Sequence, residues 1–263
     1  MPLNIAVCVK RVPDTAAEKK LDDSDKTLDR ESVESILNPV DEMAVEEALR
    51  LKESQEGEVT IISMGPEGAG PNAIRKALSM GADKGVHLKD DSLHGSDAQG
   101  VAYALSQVVK KGEYDIIFCG AESTDARTSL VPPALSEHLG LPNINFVKNV
   151  EVADGRVTAH RETDRGYDVV ESPLPAVVGV VWGANEPRYP SFKGIMASKN
   201  KPVETLSAAD AEVDGSKVGL EGSKTQVLEF GARSSERKKL IVDNKDGDAH
   251  VKLADFLQEQ KFI

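Results

Sequence analysis

The chain has 263 residues, 32 basic against 44 acidic side chains for a formal net charge of −12, and only two cysteines. That length suffices for one large domain or two small ones with a buried core, and the acidic balance argues against nucleic acid, whose phosphates require a basic face. Cys8 and Cys119 sit in apolar strand-like runs without C-x-x-C or other metal spacing, so no metal site is expected and both read as buried free thiols.

No run approaches the roughly 18 apolar residues of a membrane span. The chain enters the strand-like Asn4–Val9 without a signal or transit pattern, so a cytoplasmic protein is expected. Short apolar runs at Ile5–Val9, Val59–Ser63, Gly85–Leu88 and Asp115–Cys119 alternate with helical patterns, the signature of a parallel α/β sheet. The first helix begins at Asn38 as N-cap with Pro39 at N1 and runs through Ala44, Val45, Ala48, Leu49 and Leu51. A second spans about Pro71–Met80, with Gly81 as its C-terminal stop. A third spans Asp97–Lys111 and a fourth about Ser129–Leu139, ended by Gly140. After Pro142 the pattern shortens. Phe146–Val152, Arg156–Arg161, Tyr167–Glu171 and Ala176–Val181 read as strands that extend the sheet antiparallel, with Asp154-Gly155 as a hairpin turn. From Val203 to about Lys245 the chain is polar and glycine-spaced, a connecting arm, and Ala249–Phe262 reads as one amphipathic helix with nothing of its own to pack against. The expected fold is therefore α/β: a Rossmann-like, mostly parallel sheet with helices on both faces, an antiparallel extension, and a C-terminal arm ending in a helix. The expected division is a nucleotide-binding domain over 1–202 and an arm over 203–263.

Generic nucleotide motifs are absent: there is no G-x-x-x-x-G-K-[ST], and Gly65–Gly70 is not a G-x-G-x-x-G fingerprint. The strand ends at Cys8–Lys10, Ser63–Gly65 and Cys119–Gly120 nonetheless fall where open α/β sheets bind ligands. Gly120–Val131 leads from strand to helix. Backbone N–H groups of Ser129, Leu130 and Val131 suit a phosphate, while an ordinary helix start capped by Thr128 or Ser129 is an equal reading. The five histidines are scattered, and no catalytic constellation is visible. In Asn185–Pro202, Pro187 and Pro190 limit a helix on its N-terminal side, and Phe192, Ile195 and Met196 fall at i, i+3, i+4 spacing. With Tyr189 and a rim of Arg188, Lys193, Lys199 and Lys201 this has the composition of a docking surface, against the alternative of an apolar triplet pinning the loop to its own core.

That segment closely resembles N-E-P-R-[YF]-x-x-[LF]-x-x-I-M-x-A-x-K of the small (beta) subunit of the electron-transfer flavoproteins. Val9–Asp14, Asn38–Asp41 with Ala44–Ala48, Gly65-Pro66, Ile74–Asp83 and Arg161–Asp164 resemble further motifs of that family, in the same order over residues 3 to about 202. The resemblance implies an electron carrier that transforms no substrate itself. It implies an obligate heterodimer with a large (alpha) subunit that holds the redox-active FAD, and an arm wrapped around that subunit. Electrons would arrive from acyl-CoA dehydrogenases of fatty-acid β-oxidation or similar flavoenzymes and leave toward a membrane quinone reductase. It implies a nucleotide, usually AMP, against Cys8, Asn38, Pro39, Val40, Asp41, Met64, Gly120, Asp125, Thr128, Ser129, Leu130 and Val131. Where the family usually has Gln-[VT]-Gly, this chain has Leu130-Val131-Pro132, which leaves backbone donors in place of a side-chain amide. A second FAD at this place, as in the electron-bifurcating branch, is the less favoured occupant, because its diphosphate needs more loop contacts. Glu162 matches a glutamate near the flavin and the subunit interface; otherwise it reads as a solvent-facing residue paired with Arg161. Tyr189, Pro190, Ser191, Phe192, Lys193, Ile195 and Met196 match the loop that recognises dehydrogenases. The runner-up is a stand-alone adenine-nucleotide-binding or ATP-hydrolysing domain of the stress-protein type.

Overall fold

Strand β1 (Leu3–Cys8) sends Leu3, Ile5 and Val7 to one face of a sheet and Ala6 and Cys8 to the other, and both faces are buried in separate apolar clusters. A computed structural model describes residues 2–66, 70–231 and 241–263 of the chain. After β1, β2 (Arg11–Pro13) and β3 (Ser35–Leu37) form a small antiparallel pair, and α1 (Pro39–Gln55), β4 (Gly57–Met64), α2 (Gly70–Met80) and β5 (Lys84–Leu88) follow. A 3-10 turn at Asp91–Leu93 leads into α3 (Ala98–Val109), β6 (Ile116–Gly120) and α4 (Val131–Leu139). Then come β7 (Asn143–Ala153), β8 (Arg156–Thr163), β9 (Gly166–Pro173), β10 (Ala176–Val180), α5 (Phe192–Ser198), β11 (Val203–Leu206), α6 (Gly219–Gly222) and α7 (Ala249–Glu259).

The nine-stranded sheet has the order β11-β5-β4-β1-β6-β10-β7-β8-β9, parallel except for the β7–β8 and β8–β9 pairs. Ala44, Ala48 and Leu49 of α1 and Ile74 and Leu78 of α2 pack with Ile5, Val7 and Phe118 on one face; Ala102 and Leu105 of α3 and Leu135 of α4 pack with Ala6, Ile62 and Ile117 on the other. Strands covered on both faces need apolar residues at every position, which is why β6 is buried throughout. The α/β, mostly parallel architecture is the one expected.

Several local expectations need correction. Of the four strands after Pro142, only β8 and β9 extend the sheet antiparallel: β10 returns to lie between β6 and β7, parallel to both. The Asp154-Gly155 turn has φ of 50° and 71°, the left-handed pair that a two-residue hairpin requires. The fourth helix starts at Val131, with Leu130 in the N-cap position, no side-chain cap, and Ser129 at φ 51°, so neither Thr128 nor Ser129 caps it. The segment read as the start of a connecting arm packs on the sheet instead: β11 pairs with β5, and Ala211 and Val218 are buried beside α3. By contact density the chain divides into Met1–Val227 and Leu228–Ile263. In the second unit α7 buries no residue, and Phe262 lies beyond its end. Residues 67–69 of the Gly65–Gly70 loop and 232–240 of the arm lie outside the described residues.

Candidate functional site

In sequence order the sheet grows from β1 to β4 and β5 on one side, then crosses to β6 on the other, so the direction of winding reverses at β1. The C-terminal ends flanking such a switch point open a crevice. Cys8 ends β1 directly opposite Cys119 of β6, and Met64 ends β4 next door. The N-terminus of α1 closes the crevice from one side through two side chains. Asp41 accepts from the Lys10 N–H at 2.7 Å and the Gly120 N–H at 3.1 Å. Asn38 donates from Nδ2 to the Glu122 carbonyl at 3.0 Å and accepts at Oδ1 from the Thr124 N–H at 3.2 Å. Asn38 is thus at the expected N-cap position, yet its side chain makes no cap bond and is given to the β6–α4 loop. Gly120 is required at its position, because a Cβ there would collide with the Asp41 carboxylate.

Burial pushes the Asp41 carboxyl up to about 7, only partly offset by Asn38 and the two backbone donors. Asp125 is the opposite case. Its side chain is 1% exposed, yet Lys10 Nζ at 2.7 Å and Arg30 Nη2 at 3.0 Å outweigh its desolvation and hold it at about 2. Lys10, though paired, has its own pKa lowered by burial. Lys19 Nζ donates to the Thr124 carbonyl at 2.8 Å.

The structure therefore gathers Cys8, Asn38, Pro39, Val40, Asp41, Met64, Gly120 and Asp125 at one edge of the sheet, with Thr128 to Val131 leading from it into α4. Within α4 the second residue is Pro132 and the third Pro133, which carry no N–H, so the helix start offers fewer donors than an ordinary one. The amides of Ser129, Leu130 and Val131 donate to no acceptor among the described residues. Among the described residues Ser63 Oγ, near the end of β4, and Thr124 Oγ1, in the loop after β6, are buried without a partner. Free amides and orphaned hydroxyls are the groups with which a site can hold an anionic ligand. Lys19 and Arg30 were not among the sequence candidates, whereas Lys10 and Thr124 fall within the Cys8–Lys10 and Gly120–Val131 segments that were. Lys10 stands inside a recognisable motif, but Lys19 and Arg30 lie in a stretch without periodicity and carry no local signal.

The segment after β10 is a second feature. Arg188 Nε and Nη2 reach the two carboxylate oxygens of buried Glu46 at 2.8 and 3.1 Å, and the guanidinium also binds Glu53. Asn185 donates to the Met43 carbonyl and to Glu47. From the other side Arg75 binds the Ser198 and Lys201 carbonyls, and Gly194 lies against the Ser79 carbonyl too closely for any side chain. Ser191 caps α5 through the Gly194 N–H at 3.0 Å. The segment is thus fastened to α1 and α2 by polar bonds while Phe192, Ile195, Met196 and Tyr189 face solvent, with Phe192 81% and Tyr189 93% exposed. A triplet pinning the loop to its own core would be buried, so that alternative is excluded. Ser191 and Lys193 are exposed beside this strip and Pro190 is half-buried, and Arg188 belongs to the clamp rather than to a rim.

Glu162 stands apart from the crevice, on β8, and pairs with Lys148 at 2.6 Å; Arg161 pairs instead with Asp168. Adjacent strand residues point to opposite faces, so an Arg161–Glu162 pair is sterically unavailable.

The family model for the electron transfer flavoprotein domain matches residues 25–211. The chain belongs to the electron transfer flavoprotein family. It is 44% identical to the electron transfer flavoprotein subunit beta of Mycobacterium leprae over 99% of both chains. It is 40% identical to that of Thermoanaerobacterium thermosaccharolyticum over 99% of this chain and 100% of the relative. To that of Megasphaera elsdenii it is 39% identical over 93% of each. As a member of this family the chain is an electron-carrier component and not an enzyme, the first of the two readings made from sequence.

Proposed function

We propose that the chain is the small subunit of a heterodimeric, cytoplasmic electron-transfer flavoprotein. A large subunit carries the FAD, acyl-CoA dehydrogenases or related flavoenzymes supply electrons, and a membrane quinone reductase takes them. The observation that carries this reading is the Asn185–Lys201 segment: fully built, clamped to two helices, and presenting an unburied apolar strip. A prebuilt apolar anchor in a protein of net charge −12 is suited to a partner, not to solvent. The crevice between β1, β4 and β6 holds AMP: Ser129, Leu130 and Val131 would offer backbone N–H groups to its phosphate, and Ser63 and Thr124 hydroxyls face the same edge. AMP there supplies no redox chemistry and acts by filling and fixing the site. Glu162, on the exposed face of β8, lies toward the large subunit and its flavin. Co-expression with a large subunit tests the whole reading. The expected result is a yellow two-subunit complex that releases, on acid treatment, one FAD and one AMP per heterodimer. A colourless monomer would refute the assembly, and two FAD without AMP would refute the nucleotide assignment.

A further inference from the structure

Between β2 and β3 the chain makes a long excursion in which no residue from 14 to 36 is buried. It folds back on itself: Leu21 and Leu28 form an antiparallel bridge, and the Asp22 and Asp29 N–H groups donate to the Thr27 and Lys20 carbonyls. Its acids are used in its own outward turns, Asp22 on Ser24 and Asp29 on Glu31 and Ser32. Its contacts with loops beyond the sheet include two places, one after β6 and one after β5. Midway along the arm, Lys19 reaches the Thr124 carbonyl at 2.8 Å and Arg30 reaches Asp125 at 3.0 Å, both in the loop after β6. At the tip, Asp25 reaches His94 Nε2 at 2.7 Å, in the turn after β5. Between β6 and β5 the sheet order places β1 and β4. An arm anchored at both places must pass over the ends of those two strands, where Cys8 and Met64 stand, a span of about 14 Å at the usual strand spacing.

We propose that residues 14–34 form a hinged roof over the nucleotide crevice, hinged at β2 and β3 and latched by Arg30–Asp125, Lys19–Thr124 and Asp25–His94, and that opening this roof sets the rate of nucleotide exchange. The inference rests on the assignment of AMP to that crevice. A segment without buried side chains, fastened by polar contacts at its middle and its tip, is drawn from the low-stability end of a fold and opens without disturbing the core. Asp125 keeps Lys10 when Arg30 is removed, so the buried carboxylate is never left without a cation.

The experiment uses the two-subunit complex loaded with a fluorescent AMP analogue and chased with excess AMP. Arg30→Met and Asp25→Asn should each speed release about fivefold, the factor expected of losing one partly exposed polar contact, with thermal stability near wild type. In the unaltered complex, amide hydrogen exchange over residues 14–34 should slow when AMP is added. Analogue that binds but leaves every variant at the wild-type rate, with exchange unaffected by AMP, would overturn the roof while leaving the AMP assignment standing. No binding of analogue or AMP at all would overturn both.

Discussion

Phe192 and Asp41 show how differently two side chains of one chain are spent. Phe192 is left 81% exposed on a seven-residue helix, so its removal takes nothing from this chain's core. Truncating an aromatic anchor in a desolvated partner pocket costs about 2 kcal/mol or more of binding, roughly thirtyfold in Kd. Phe192→Ala should raise the apparent KM of a dehydrogenase for the complex by that order with Tm and flavin content unchanged; a fallen Tm would return Phe192 to a structural role. Asp41 is buried with its pKa raised to about 7 from 3.8, so the folded state holds its proton more tightly than the unfolded chain. The stability this contributes is complete below about pH 4 and is lost as pH rises to about 7, up to about 4 kcal/mol for a three-unit shift. The advantage of wild type over Asp41→Asn, measured by chemical denaturation, should therefore shrink between pH 4 and pH 7. A gap that stays constant across that window would show that Asp41 does not titrate there. Sequence placed Asp41 in the crevice by motif, but not its role. Both its oxygens are taken by backbone N–H groups of Lys10 and Gly120, a consequence of how two strands and a helix meet that no local spacing encodes.

At the scale of elements, helical boundaries were legible because prolines and glycines mark them: Pro39 at the start of α1, Gly81 after α2 and Gly140 after α4 stand where the capping rules place them. The place of β10 was not read, although a signal existed. Ala176–Val180 is apolar at every position, the pattern of a strand covered on both faces, whereas β8 alternates in its first half and β9 is mostly exposed. The clamp on the α5 segment was invisible because its partners lie more than a hundred residues away: Arg188 on Glu46 and Glu53, Arg75 on Ser198 and Lys201. Arg188→Met should therefore behave unlike Phe192→Ala. It leaves buried Glu46 with Arg50 as its cation and the residue 188 backbone N–H as a weaker donor, and frees one flank of the segment, so it should cost about 1 to 3 kcal/mol of stability as well as partner affinity. Arg188→Lys, which keeps the charge but loses the forked geometry, should restore little. A variant that loses affinity with no change in Tm would mean that the guanidinium meets the partner directly.

For the molecule as a whole, the sheet with its two apolar faces is complete within Met1–Val227, and the polar stretch after Val203 was misread because its packing rests on a few separated side chains, Ala211 and Val218, and on backbone donors. Asp97 alone accepts from the Gly100, Lys224 and Thr225 N–H groups, fixing where the chain leaves the first unit. Beyond that point the logic reverses. α7 has no buried residue, and Val251, Leu253 and Phe262 are exposed. Its apolar residues are accounted for if they meet the large subunit. Ending the chain after Val227 should then leave a folded unit, with the cooperative melting and far-UV spectrum of the α/β sheet, while association with the large subunit falls by orders of magnitude and flavin is lost on gel filtration. Replacing Leu253 and Leu257 together with Ser should reproduce much of that loss without altering the first unit. If the truncated chain melts at much lower temperature, or still co-elutes with the large subunit and its flavin, the terminal segment serves this chain's own stability or no role in assembly.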